Sequence, residues 1–79
     1  MARFAARIPA GTDPDALRDA LLRAGFRHLD VAEIAELCTG HEYVFSATVK
    51  RLTANGIRID VLAQSLREIG VEVRCSAVP

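Results

Sequence analysis

From His41 to Lys50 the residues alternate between two kinds of side. Tyr43, Phe45, Ala47 and Val49 take one side, and Val44, Ser46, Thr48 and Lys50 take the other. A period of two, written in aromatic and β-branched residues, predicts a strand. One side is aromatic and apolar while the other is small and mixed, so this strand is expected at the centre of a sheet whose helices cover one face only. Phe45 is then expected to be the most buried aromatic, packed between Leu21 and Leu66.

The rest of the chain can be placed around it. Met1 to Pro9 alternates as a first strand, with Phe4, Ala6 and Ile8 on one face and Arg3, Ala5 and Arg7 on the other. A loop, Ala10 to Asp13, leads to a helix with Asp13 as N-cap, Pro14 in the first helical position and Asp15 in the first turn. Leu17, Ala20, Leu21 and Ala24 recur at i, i+3, i+4 and i+7, so this helix packs by one face, and Gly25 ends it. Arg51 to Gly56 reads as a polar connection with Asn55-Gly56 as turn signal. A second helix follows, with Asp60 as candidate cap, an apolar stripe of Leu62, Ala63, Leu66 and Ile69, and Gly70 as its stop. Val71 to Val78 alternates again, with Val71, Val73, Cys75 and Ala77 inward.

Phe26 to Cys38 fits two patterns. Val31, Ile34, Ala35 and Cys38 match a helical stripe with Asp30 as a possible cap, whereas Leu29, Val31, Ala35 and Leu37 share one strand parity. A strand could pair with His41 to Lys50 through the Thr39-Gly40 turn, and a helix would leave a sheet edge open, so the expectation is an irregular edge strand. The order strand, helix, strand, strand, helix, strand predicts one α+β domain over residues 1–79. Its expected form is a ferredoxin-like βαββαβ two-layer sandwich, a four-stranded antiparallel sheet with two helices on one face.

Composition narrows the classes of function. With 79 residues, 51% hydrophobic and 25% charged, the chain can build one small core and has no low-complexity segment. Ten Lys and Arg balance ten Asp and Glu, so no net field draws it to nucleic acid or an anionic membrane. No apolar run reaches the roughly 20 residues that a membrane span needs. The start of the chain also lacks the apolar region of a signal peptide, and a cytoplasmic location is expected. Cys38 and Cys75 are expected as buried free thiols, with a disulfide as the lesser reading.

Little in the sequence has the spacing of a catalytic or metal site. The first loop, Pro9 to Thr12, lacks the Cys-x-x-Cys of small metal chaperones. The open sheet face offers no aromatic platform for bases, nor the Arg and Asn of an anion-cradling loop. Cys38-x-x-His41, with His28, supplies too few ligands for a structural zinc site. No cofactor and no metal are expected.

The topology and the loop Gly11-Thr12-Asp13-Pro14-Asp15-Ala16-Leu17, standing in place of an Asp-x-Pro-Gly-x-Leu pattern, resemble the ACT-like group of regulatory domains. That resemblance implies small-ligand binding at Gly11, Thr12 and Asp13; Asp13 and Pro14 also have a purely structural role as helix cap and first-turn residue. Residues Leu29 to Val78, with Val44-Phe45-Ser46-Ala47-Thr48-Val49, Leu62 to Leu66 and Gly70-Val71-Glu72-Val73, look like the C-terminal cytoplasmic domain of MgtC-type membrane proteins. This implies a regulatory or partner-binding domain, with membrane helices upstream in the parent protein.

A non-catalytic regulatory or interaction domain is therefore expected; the alternative is a small enzyme or enzyme subunit using the open sheet face as a substrate cleft. The outward set Ala5, Ala32, Ile34, Val44, Ser46 and Thr48 is too small and apolar for a face meant only for water, so it is the expected contact with a second copy or a neighbouring domain. A small-molecule effector is a further candidate partner.

Overall fold

The structure, a computed structural model, describes residues 2–37 and 40–77. Its element order is β1 (Ala2–Ile8), α1 (Pro14–Ala24), α2 (His28–Leu37), β2 (Tyr43–Thr48), α3 (Val49–Ala54), α4 (Ile59–Glu68) and β3 (Glu72–Ala77). The three strands form one antiparallel sheet in the order β2-β1-β3. This corrects the expected ferredoxin-like sandwich: among the described residues the sheet has three strands, four helices accompany it, and the segment expected as a second strand is a helix.

β1 holds the centre. Phe4, Ala6 and Ile8 are buried, while Arg3 and Arg7 reach water from the opposite face. Phe4 stands opposite Ala47 of β2 and Cys75 of β3, and Ala6 opposite Phe45 and Val73. Residues directly opposite in a sheet share a face, so all six belong to the helix side.

α1 forms as its spacing predicts. Asp13 caps it by accepting from the Asp15 N–H at 3.1 Å, Pro14 opens it, and Leu17, Ala20, Leu21 and Ala24 are all buried. At its end Gly25 takes φ 112°, and the Phe26 N–H donates to the Leu21 carbonyl while the Gly25 N–H donates to that of Leu22. These two bonds satisfy carbonyls that a helix end leaves open. A Cβ at Gly25 would lie 2.8 Å from the Gly56 carbonyl oxygen, so glycine is required there both for its backbone angle and for the close approach. The Arg58 N–H donates to the Ala24 carbonyl at 2.8 Å, tying the end of α1 to the α3–α4 turn.

The helical stripe in residues 26–38 prevails over the strand parity. Val31 and Ile34, three apart, are buried, Asp30 lies in the first turn, and α2 packs principally on α1. α3 takes in Val49 and Lys50, expected as strand, and Arg51 to Ala54, expected as polar connection. Its N-cap is Thr48, whose hydroxyl accepts from the Arg51 N–H at 3.2 Å, and Leu52 is its buried residue. The strand expected over 41–50 therefore stops at Thr48, because the side chain that ends it also starts the next helix.

α4 buries Leu62 and Leu66 over the sheet. Its N-cap is Arg58 rather than Asp60, which sits in the first turn. The Val71 N–H donates to the Leu66 carbonyl and the Gly70 N–H to that of Arg67, repeating the ending of α1. None of the helices among the described residues is long and apolar enough to cross a membrane.

Candidate functional site

The three-stranded sheet of the described residues determines where the molecule is open. Among the described residues β2 pairs with β1 along one side only, so its other side is a free sheet edge. α4 packs on β3 at the far edge, whereas α2 stands off from β2 and leans on α1. The gap is a groove of about 870 Å³ between α2, the α1–α2 joint, β2 and α3.

Its floor is built from the core outward. Phe45 packs edge-on against Phe4 at a ring-centroid distance of 6.2 Å and against Phe26 at 5.9 Å, and Ile34, Leu52 and Ile57 continue the apolar lining. Edge-to-face contacts hold the rings at fixed angles without enclosing them. Phe45, on the edge strand, is half-buried, whereas Phe4, in the same contact from the central strand, is the fully buried aromatic. This corrects the expectation that Phe45 is the most buried, packed between Leu21 and Leu66. A strand at an edge cannot be enclosed as one at the centre is.

The rim carries both signs of charge. Arg27 pairs with Asp30 at 3.6 Å, and Glu33, Arg51 and Asn55 stand around the same opening. The Asn55 amide donates to the Arg51 carbonyl at 2.8 Å, which closes the end of α3. Tyr43, the single tyrosine of the chain, also lines the groove. Val44 and Ser46 line it from the outer side of the sheet, so the groove wraps around the free edge of β2.

The residues expected at the β1–α1 loop are engaged locally. Gly11 is exposed, the Thr12 hydroxyl donates to the Pro9 carbonyl at 2.6 Å, and the Asp13 carboxylate caps α1. The expected partner face is divided. Ala5, Val44, Ser46 and Thr48 share the open side of the sheet, but Ala32 is exposed on α2 and Ile34 lies in the core.

That open side is largely polar. Arg3 donates to the Ser46 hydroxyl at 3.1 Å, Arg7 pairs with Glu42 at 3.0 Å, and Arg74 pairs with Glu72 at 3.1 Å. Val44 is the large hydrophobic residue exposed there, at 56%. Cys75 shares the helix-facing register of Phe4 yet is exposed, which corrects its expected burial. Cys38 lies outside the described residues. His28 begins α2 and His41 precedes β2, both exposed.

Sequence reasoning missed Phe26, Arg27, Glu33, Arg51 and Asn55 as residues of one site. The available signals were the helical stripe of α2 and the capping hydroxyl of Thr48, which together leave β2 without a second neighbour. No family model, no curated protein and no solved structure matches the chain.

Proposed function

We propose that this chain is a non-catalytic protein-interaction domain, regulatory in role, that engages its partner along the β2 side. The observation that carries the proposal is the free edge of β2, which is uncharged from Tyr43 to Thr48 and opens onto a groove with an aromatic floor. An extended segment laid in that groove finds unpaired backbone donors and acceptors along β2 and apolar pockets for alternate side chains. The β1–α1 loop is a poorer candidate for an effector site, because its polar side chains already serve the turn and the helix cap.

The test uses short synthetic peptides in pools, titrated against the chain while Tyr43 emission and the backbone amide shifts of residues 43–48 are followed. Peptides rich in β-branched residues should perturb Tyr43 and the residues around the groove. Shifts confined to the β1–α1 loop or to the open sheet face would refute the reading.

A further inference from the structure

The two free edges of the sheet differ in how they are finished, and the difference points to one kind of partner. Natural edge strands are commonly protected by charge, proline, bulges or a covering element. β3 carries Glu72 and Arg74 and has α4 packed on it. β2 reads Tyr43-Val44-Phe45-Ser46-Ala47-Thr48, with neither charge nor proline. Its charges lie just beyond its two ends and have opposite signs. Glu42 precedes it, and Lys50 and Arg51 follow it.

An antiparallel pairing of this strand with itself brings the acidic end of one strand to the basic end of the other. We infer that β2 is the self-association edge of this protein and that its partner is a second copy of the same chain. A two-fold axis perpendicular to the sheet joins the two sheets into one of six strands, with both helical layers on the same side. Opposite residues must then share a face, which limits the register to even offsets. The central register sets Phe45 opposite Phe45 of the second copy, Val44 opposite Ser46, and Glu42 opposite Thr48, next to the second copy's Lys50 and Arg51. Glu42 is half-exposed in its pair with Arg7, and Lys50 and Arg51 form no ion pair among the described residues.

This inference rests on the β2 side being the interaction surface, and its test separates the two. Sedimentation at tens of micromolar should give the parent chain roughly twice its monomer mass of 8.6 kDa. In Val44→Glu/Ser46→Glu the new carboxylates sit on the open face beside Arg7 and Arg3, so the monomer fold keeps its support. Across the proposed interface, however, each faces a like charge. This variant should sediment as a folded monomer, with unchanged circular dichroism. Val44→Glu/Ser46→Lys places opposite charges face to face in the central register and should restore the dimer.

Ala5→Glu, on the open face of the central strand, should leave the dimer intact. Its dissociation would instead assign the interface to the open sheet face and overturn the inference. A parent chain that stays monomeric at hundreds of micromolar would also overturn it, as would a Val44→Glu/Ser46→Glu dimer or a monomeric Val44→Glu/Ser46→Lys. A monomeric parent whose groove still responds to peptides would refute only the second copy as partner, and the interaction reading would stand.

Discussion

β2 and β3 are both six-residue strands paired antiparallel to β1, yet only β3 is finished as an edge. Glu72 and Arg74 put an ion pair on its outer side, and α4 packs across it from the helix layer. β2 has the more apolar sequence and the poorer cover, so Tyr43, Phe45 and Ala47 are only half-buried although they face the helices. Inward orientation alone does not bury a side chain. The layer above must also extend over it, and here the layer stops at the groove beneath α2. Cys75 teaches the same lesson at β3, where the register turns it to the helix side and yet it is exposed.

The sharpest test of this difference compares two phenylalanines in contact. Phe4, fully buried on the strand that both edges share, should lose about 3–5 kcal/mol on Phe4→Ala. Phe45→Ala, on the open edge, should lose roughly 1–2 kcal/mol, because its ring gives up only part of a full burial. Urea denaturation of the two variants measures both values. Equal losses would mean that the edge is as enclosed as the centre.

A smaller effect is expected where the open edge gets its wall. Gly25 turns the chain from α1 into α2, and Gly25→Ala brings both a disfavoured φ and a 2.8 Å contact with the Gly56 carbonyl. The loss should exceed about 1 kcal/mol and should move Tyr43 emission as α2 shifts over the groove. Unchanged stability would show that the α1–α2 joint is free to adjust.

The smallest effect belongs to the finished edge. The Glu72–Arg74 pair is exposed to solvent, so Glu72→Gln should change stability by less than about 0.5 kcal/mol. Thermal unfolding of this variant should overlay the parent. Its consequence should appear instead as greater aggregation on prolonged concentration, since a guarding charge has been removed from an edge strand. A measurable loss of stability without aggregation would mean that the pair supports the fold rather than guards the edge.

Local chemistry determined much of this molecule. The alternation of Phe4, Ala6 and Ile8, the capped stripe from Asp13 to Ala24, and the stripe of Leu62 and Leu66 closed at Gly70 were legible because each depends on residues within a turn or two of one another. The helical spacing of Val31 and Ile34 and the capping hydroxyl of Thr48 were equally present. A strand over 26–38 follows only if a sheet must not leave an edge open, and this sheet does leave one. Only the tertiary structure decided that β2 lies outside β1 instead of between two strands, that α2 rests on α1, and that Phe26, Phe45, Arg27 and Arg51 line one groove. Those facts depend on how far a helix layer of limited width reaches across a sheet, a balance among all the elements that no single stretch of sequence encodes.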